Sequence, residues 1–235
     1  KFARRLAEKA DIYLNDAFSV CHRKHASVHA IKNFLPSYAG FLIQKEIENL
    51  EKVKDPQAPL ITIIGGAKID TKINIIKKLH PISEKVLIGG AMANNFLAAH
   101  GLEVGKSLVD EKNIKLAKKL KKDIKKNKLI LPVDVVVSSK KNGKGEARVK
   151  NIHNVKRTEA VLDIGPKTQR IFSQNIKKAS TLIWNGPMGM FEQERFRYGS
   201  LGVARVVASR SKGKAFGVAG GGETVEALKM SKMME

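Results

Sequence analysis

The chain of 235 residues is 43% hydrophobic and 28% charged, a composition that excludes both a disordered tail and a fibrous repeat. Its 44 lysine and arginine residues against 22 acidic ones give a net charge of +22, which favours anionic partners such as nucleotides, phosphorylated metabolites, nucleic acid or acidic membrane surfaces. No apolar run approaches the roughly 20 residues of a transmembrane helix. The single cysteine, Cys21, cannot form an internal disulfide, so we expect a cytoplasmic protein.

Short apolar runs typical of strands alternate along the chain with amphipathic segments typical of helices. The predicted strands span residues 12–17, 60–64, 85–88, 129–131, 133–137, 181–184 and 214–218. Several are apolar at nearly every position, as in strands buried on both faces of a parallel sheet. The clearest predicted helices span residues 41–54, 110–128 and 167–178. This alternation predicts an α/β fold with a doubly wound, mostly parallel sheet of Rossmann-like type.

The segment 33–40 (NFLPSYAG) interrupts the pattern with proline, serine and glycine, and it predicts a domain boundary there. Residues 1–37 contain too few elements for a domain, so we expect them to be the end of a larger one. Residues 38–235 are predicted to form the second domain, entered through the helix at about 41–54. The segment 138–154 is rich in lysine, glycine and asparagine and is predicted to be a surface loop.

Nine of the 19 glycines lie in four turns that follow predicted strands, which points to a phosphate-binding edge. The turns contain Gly65 and Gly66, Gly89 and Gly90, Gly186 and Gly189, and Gly220 to Gly222. The carboxyl ends of parallel strands share one edge, where open α/β sheets bind ligands and glycine lets backbone N–H groups approach a phosphate. One such turn is common in any α/β protein, so the prediction depends on all four together.

Two lysines follow the first of these turns. Lys68 and Lys72 are four residues apart and therefore lie on one face of a helix. We expect both to project towards bound phosphates, although spacing alone is equally compatible with two solvated surface lysines.

Two other motifs carry weaker signals. Residues 101–107 (GLEVGKS) resemble a Walker loop, but only three residues separate the glycines and no predicted strand precedes them, so Lys106 is not assigned to phosphate binding. Cys21, His22, His25 and His29 are of metal-binding type. Adjacent ligands rarely share a tetrahedral ion, and Arg23 and Lys24 would repel a cation, so an anion-binding loop is the favoured interpretation over zinc.

Two other functional classes compete with a phosphate-binding protein. A basic nucleic-acid-binding or ribosome-associated protein is favoured by the run KKLKKDIKKNK at 118–128, but aromatic residues make up only 6% and no recognition motif occurs. A dinucleotide-dependent oxidoreductase predicts a G-x-G-x-x-G fingerprint after a strand, and none is present.

Eight segments, in this order, resemble those of phosphoglycerate kinases, and the resemblance covers essentially the whole chain. They read LNDAFSVCHRKHAS, IIGGAKIDTKI, LIGGAMANNFL, EVGKSLVD, LPVDVVV, LDIGPKT, IWNGPMGMFE and VAGGGETV. The resemblance implies the C-terminal nucleotide-binding domain of such a kinase with the end of its N-terminal triose-binding domain. The implied reaction is reversible phosphoryl transfer between 1,3-bisphosphoglycerate and ADP, giving 3-phosphoglycerate and ATP, with Mg²⁺ as cofactor. We expect a monomer with no specific affinity for nucleic acid or membrane.

The resemblance also implies a role for individual residues. The implied nucleotide-binding residues are Gly65, Gly66, Ala67, Lys72, Gly89, Gly90, Gly165, Asn185, Glu192, Gly221, Gly222, Glu223 and Thr224. Lys68 and Lys72 match the catalytic lysines, Glu223 a magnesium ligand, and Arg23 an arginine that binds the triose phosphate.

The sequence departs from the family pattern in two respects. Glu223 stands where the family usually has aspartate, which extends the expected magnesium ligand by one methylene group. Most of the triose-binding residues of the family are also missing from the chain. We therefore predict weak nucleotide binding and slow turnover or none.

Overall fold

The computed structural model describes residues 1–67, 69–124 and 127–233. Its backbone contacts divide the chain into two compact units, Lys1–Pro56 and Gln57–Glu235. Within the described residues no helix is both long and apolar enough to cross a membrane.

The first unit contains a two-stranded parallel sheet and two α-helices. In chain order its elements are α1 (Phe2–Ala7), β1 (Tyr13–Asn15), β2 (Ser37–Ala39) and α2 (Phe41–Glu51). Short 3₁₀ and π turns connect the two strands. The strand predicted at 12–17 is therefore present but shorter, and β2 was not predicted.

Asp16 joins α2 to the first unit. Its Oδ1 accepts hydrogen bonds from the N–H groups of Leu42 at 2.7 Å and Ile43 at 3.1 Å, so it caps the helix from outside. The contact division accordingly falls after α2, between Pro56 and Gln57, whereas the predicted boundary lies at 37/38. The assignment of residues 1–37 to a triose-binding domain is not tested by this division and stays a prediction.

The second unit is an α/β fold built around a parallel sheet. Its elements are β3 (Leu60–Ile64), α3 (Ile69–Leu79), β4 (Lys85–Ile88), α4 (Gly90–Ala99), α5 (Glu111–Asp123), β5 (Leu129–Ile130), β6 (Asp134–Ser138), β7 (Arg148–Asn151), β8 (Ala160–Ile164), α6 (Pro166–Ile176), β9 (Thr181–Asn185), α7 (Tyr198–Ser211), β10 (Phe216–Gly220) and α8 (Gly222–Met230). Five strands form the parallel sheet in the order β10-β9-β3-β4-β5. The predicted α/β class and parallel sheet are confirmed.

Helices cover both faces of this sheet, and alternate residues of its strands face the two layers. Ile61 and Ile63 of β3 pack in a core with residues of α6, α7 and α8. Ile64 packs in a second core with residues of α3, α4 and α5. This two-sided burial explains why the strands are apolar at nearly every position and makes the sheet doubly wound.

A second sheet was not predicted. Strands β7, β6 and β8 form an antiparallel sheet in that order. The run at 133–137 was expected in the parallel sheet, and this is wrong because β6 pairs only with β7 and β8. The segment 138–154 was expected to be a loop, yet it contains β7. Three of the four side chains of β7 are polar and its one apolar side chain, Val149, is exposed, so the strand pattern is hidden.

Asp134 fixes the second sheet to α6. Its Oδ1 accepts from the N–H of Thr168 at 2.7 Å, and its Oδ2 accepts from the N–H of Lys167 at 2.9 Å. The Thr168 hydroxyl also donates to Oδ1, at 2.6 Å. A buried carboxylate on β6 thus caps the N-terminus of a helix that begins 32 residues later in the chain.

Candidate functional site

The four glycine turns lie together at one edge of the parallel sheet. They follow β3, β4, β9 and β10, four neighbouring strands that run in the same direction. The predicted convergence is therefore confirmed. The chain continues from β3 to β4 on one side and later returns to place β9 on the other, so a topological switch point lies between β3 and β9. In open α/β sheets, ligands bind in the crevice outside such a point.

Backbone hydrogen bonds join the turns across the switch point. The N–H of Gly65 donates to the carbonyl of Asn185 at 2.9 Å, and the N–H of Gly66 donates to the carbonyl of Pro187 at 2.7 Å. The N–H of Gly89 donates to the carbonyl of Ile64 at 2.8 Å. These three glycine N–H groups therefore bind protein carbonyls, although glycine N–H groups at this edge were expected to approach a phosphate.

The turns after β4 and β10 belong to the same network. The N–H of Gly90 donates to the carbonyl of Met188 at 2.9 Å. The N–H of Gly186 donates to the hydroxyl of Thr224 at 2.7 Å, and this hydroxyl donates to the carbonyl of Gly220 at 2.7 Å. Thr224, predicted from the resemblance, thus has a clear structural role at the start of α8.

Lys72 lies at the switch point. The side chain is buried, and its Nζ donates to the carbonyl of Gly65 at 2.7 Å. A Cβ atom on Gly66 or Gly186 would collide with this ammonium group, and both glycines have positive φ angles, of 80° and 95°. Lys72 is thus enclosed by two of the four turns, while Lys68 lies outside the described residues.

A cavity of about 500 Å³ opens beside the turns. Its walls include five residues that the resemblance implied, namely Gly66, Ala67, Gly90, Glu192 and Glu223. Most of the remaining wall is apolar, with Val135, Leu108 and Pro132 among its members. An apolar slot with a few polar groups at its rim is the usual form of a site for a small organic molecule.

The carboxylates of Glu192 and Glu223 are exposed at the cavity wall. Glu223 is in the first turn of α8, two residues after Gly221, whose φ of 92° favours glycine. Gly222 begins the helix, and Asn185 lies beside the Gly220–Gly221 turn, so these implied residues lie near one another.

Gly165 is the exception among the implied nucleotide residues. It precedes α6, its N–H donates to the carbonyl of Asp134 at 2.9 Å, and a Cβ atom would collide with the Asp134 carboxylate. The residue is thus required for capping α6, and it is not among those lining the cavity. Its contact with a nucleotide stays a prediction.

Lys106 lines the cavity, although it was set aside with the Walker-like segment. The segment follows α4 and no strand leads into it, as the sequence predicted. Its position depends instead on β8, because the N–H of Lys106 donates to the carbonyl of Glu159 at 2.7 Å and Ser107 Oγ accepts from the N–H of Val161 at 2.8 Å. Nothing in the local sequence indicates contacts with residues more than 50 positions away.

Asp163 is a second cavity residue that the sequence analysis missed. It is 2% exposed, and its two oxygens accept from the N–H groups of Ile164 at 2.9 Å and Gly199 at 2.8 Å. Burial raises the pKa of Asp163 to about 8, although the two N–H donors act in the opposite direction. Burial therefore favours the neutral form of a carboxyl group that forms part of the wall.

Arg23 lies in the first unit, and its side chain is exposed. Its N–H donates to the carbonyl of Val20 at 2.9 Å. A smaller cavity of about 280 Å³ in this unit is lined by Cys21 and His29 among others, but not by Arg23. In the described parts of the chain, no three or more His, Cys, Asp or Glu residues are grouped so that they could hold a metal ion.

Comparison with known proteins gives a consistent result. The sequence model of the family described as phosphoglycerate kinase matches residues 1–235. The phosphoglycerate kinase of Moorella thermoacetica is 43% identical over 233 residues, which are 97% of this chain and 58% of that protein. The phosphoglycerate kinase of Chloroflexus aggregans is 40% identical over 238 residues, 100% of this chain and 60% of that protein.

Solved structures agree with the sequence comparisons. The structure of phosphoglycerate kinase from Coxiella burnetii matches with a TM-score of 0.84 at 36% identity, over 98% of this chain and 60% of that one. The enzyme from Pyrococcus horikoshii OT3 matches with a TM-score of 0.81 at 29% identity, over 96% of this chain and 57% of that one. None of these relatives supports the nucleic-acid alternative.

The chain thus spans about three fifths of the length of the relatives it matches. Because the family match extends over all 235 residues, the chain belongs to the phosphoglycerate kinase family.

Proposed function

We propose that the chain takes part in reversible phosphoryl transfer between 1,3-bisphosphoglycerate and ADP, with the unit Gln57–Glu235 binding the nucleotide. The observation that carries the proposal is the convergence of four glycine turns and Lys72 at the switch point, beside a cavity whose walls include Gly66, Gly90, Glu192 and Glu223. The names of the relatives and the family match support the same reaction.

In this proposal the apolar part of the cavity holds the nucleobase and Glu192 binds the ribose hydroxyl groups. The phosphates extend towards the start of α8, where a helix N-terminus and its N–H groups favour an anion. Lys72 adds a positive charge at the switch point, beside Gly66 of the cavity wall. Lys68 would bind the phosphoryl group in transfer.

Glu223 suits a magnesium ion bound together with a nucleotide. Mg²⁺ typically takes one or two protein carboxylates, substrate phosphates and several waters, so it does not need a cage of three acidic side chains. An exposed carboxylate in the first turn of α8, at the cavity wall, meets this requirement. The ion would neutralise phosphate charge when bound, and the extra methylene of glutamate would let the carboxylate reach further from the helix.

The reaction requires no general base in this chain. From ATP, a carboxylate oxygen of 3-phosphoglycerate attacks the γ-phosphorus while the bond to the bridging oxygen breaks, giving the acyl phosphate and ADP. The carboxylate is already deprotonated, so the protein contributes positioning and charge neutralisation. Arg23 would bind the triose phosphate.

Three further parts of the proposal concern the protein as a whole. We propose a monomer that acts in the cytoplasm and uses ATP and ADP as its nucleotides. Among the relatives, the protein of Volvox carteri is named a chloroplastic phosphoglycerate kinase, so location varies within the family.

Isothermal titration calorimetry with ADP and Mg²⁺ tests the nucleotide site. We expect measurable binding by the unsubstituted chain and a loss of at least tenfold in affinity for Lys72→Ala, because a cation beside the phosphate path is removed. Lys118→Ala is the matched control, since this exposed lysine lies on α5, away from the cavity wall, and should not change the affinity. Equal affinities of Lys72→Ala and the unsubstituted chain would refute the assignment.

A further inference from the structure

We propose that Asp163 is a positioning residue of the nucleotide cavity, whose carboxyl group fixes the segment 186–192 through the start of α7. The inference rests on the proposed function, because it concerns how the same cavity is held in shape. The resemblance assigned no role to Asp163.

The carboxyl group first joins β8 to α7. Its Oδ2 accepts from the N–H of Gly199 at 2.8 Å, in the first turn of the 14-residue helix α7. That N–H has no partner within the helix, so the carboxyl group supplies an N-terminal cap from a strand 36 residues earlier in the chain. The position of the helix start therefore depends on Asp163.

The start of α7 in turn holds the cavity wall. Ser200, which follows Gly199, is fully buried, and its Oγ accepts from the N–H of Met188 at 2.9 Å. The carbonyl of Met188 accepts from the N–H of Gly90 at 2.9 Å. Both Met188 and Gly90 line the cavity. A displacement of the helix start would thus be transmitted to two walls of the site.

Asp163 also contacts the segment 186–192 directly, at Gly189. A Cβ atom at Gly189 would collide with the Asp163 carboxyl group and with the carbonyl of Leu162. The N–H of Met190 donates to that same carbonyl at 2.8 Å, so the segment lies directly on β8. Glycine is therefore needed at 189 because the carboxyl group occupies the space of a side chain.

The surroundings of the carboxyl group favour its neutral form. Burial raises the pKa of Asp163 to about 8, and within the described residues it forms no ion pair. The charged or titratable groups on the elements around it lie at the cavity wall, on the paired strand β6, and before and along α7. They are Lys106, Lys141, Glu192, Glu223, Asp134, Glu194, Arg195, Arg197, Tyr198, Arg205 and Arg210. Deprotonation would place a buried negative charge beside a site for an anion, so nucleotide affinity should fall as the pH rises through this range.

The test measures the affinity for ADP with Mg²⁺ by calorimetry at pH 7 and pH 9. At pH 7 we expect Asp163→Ala to bind at least tenfold more weakly than the unsubstituted chain. The affinity of Asp163→Asn should lie between them, because the amide retains one acceptor but cannot accept from both N–H groups.

Thr181→Val is the matched control. It removes a buried hydroxyl that donates to the carbonyl of Gln57 at 2.9 Å at the opposite edge of the sheet, so it should lower stability and leave the affinity within twofold.

The Thr181→Val control separates positioning from a general loss of stability, and the pH series reports the charge state of the carboxyl group. Between pH 7 and pH 9 the unsubstituted chain should lose more affinity than Asp163→Asn, and the comparison cancels the contribution of the other charged groups. Equal affinities of Asp163→Ala and the unsubstituted chain at pH 7 would overturn the proposal.

If Asp163→Ala does not fold, Gly189→Ala tests the contact between the segment 186–192 and the Asp163 carboxyl group. Its methyl group presses on the carboxyl group, so we expect at least a tenfold loss of ADP affinity, and an unchanged affinity would overturn the proposal. Absence of ADP binding by the unsubstituted chain would overturn the nucleotide site itself as well as this inference. Binding that depends on Lys72 but not on Asp163 would overturn the positioning role alone.

Discussion

The buried carboxyl group of Asp163 should make the stability of the second unit depend on pH in an unusual direction. Burial raises its pKa from 3.8 to about 8 in the folded chain. The folded state therefore retains a proton that the unfolded state releases, and the stabilisation is complete below the unfolded pKa and lost as the pH rises through the folded one. Each unit of pKa difference corresponds to about 1.4 kcal/mol, so the loss between pH 4 and pH 8 is of the order of 5 kcal/mol.

Urea unfolding at a series of pH values measures this effect, with Asp163→Asn as the reference that cannot titrate. Trp184 is the single tryptophan, it is fully buried in the core of the second unit, and its indole N–H donates to the carbonyl of Gly186 at 2.8 Å. Its fluorescence therefore reports unfolding of this unit. From pH 5 to pH 7, the stability of the unsubstituted chain should fall by about 3 kcal/mol relative to Asp163→Asn.

A difference between the two proteins that stays constant from pH 5 to pH 9 would refute this reasoning. It would mean that the two N–H donors compensate the burial of a charged carboxylate, so that Asp163 is already ionised at low pH. A difference that grows in the opposite direction, with the unsubstituted chain gaining stability as the pH rises, would refute it more strongly.

Two further predictions concern polar groups that hold the antiparallel sheet. Asp134→Ala should destabilise the second unit by about 2–4 kcal/mol in the same urea assay, because it leaves the N-terminus of α6 without its buried cap, and a loss below about 1 kcal/mol would contradict this. Lys150→Met should lower the free energy of unfolding by about 3 kcal/mol at pH 7. The Nζ of Lys150 lies 2.7 Å from Oε1 of the buried Glu159, and its removal leaves that carboxylate without its ion-pair partner. The hydrogen bonds from Lys150 and the N–H of Lys156 outweigh burial and hold the pKa of Glu159 below its ordinary value. The destabilisation by Lys150→Met should therefore shrink as the pH falls towards 4 and Glu159 is protonated. A destabilisation independent of pH would argue against this ion pair.

The parallel sheet could be predicted from the sequence because its strands carry their signal locally. Strands β3 and β4 are buried on both faces, so their predicted bounds, 60–64 and 85–88, agree with the structure at every residue. The turns that follow contain glycine pairs, and the direction of the strands then places these turns at one edge without further information.

The antiparallel sheet could not be predicted in this way because its strands are held by residues distant in the chain. Strand β7 is a polar edge strand that pairs only with β6, and β8 contains the buried Asp163, which interrupts its apolar pattern. This sheet carries one wall of the cavity, including Val135 and Asp163. Lys106 reaches the same wall only through its bonds to β8.

The hydrogen bonds of the glycine turns change the interpretation of why glycine is present. The N–H groups of Gly65, Gly66 and Gly90 donate to protein carbonyls, so these glycines allow close packing of the turns and do not supply donors to a phosphate. In the part of the chain that the structure describes, the N–H groups of Gly221 and Gly222 have no such acceptor. An anionic ligand at this edge would therefore find its backbone donors at the start of α8, where the helix dipole adds to their effect. The same turn carries Glu223, so the residue that departs from the family pattern lies where the phosphates and their counter-ion would meet.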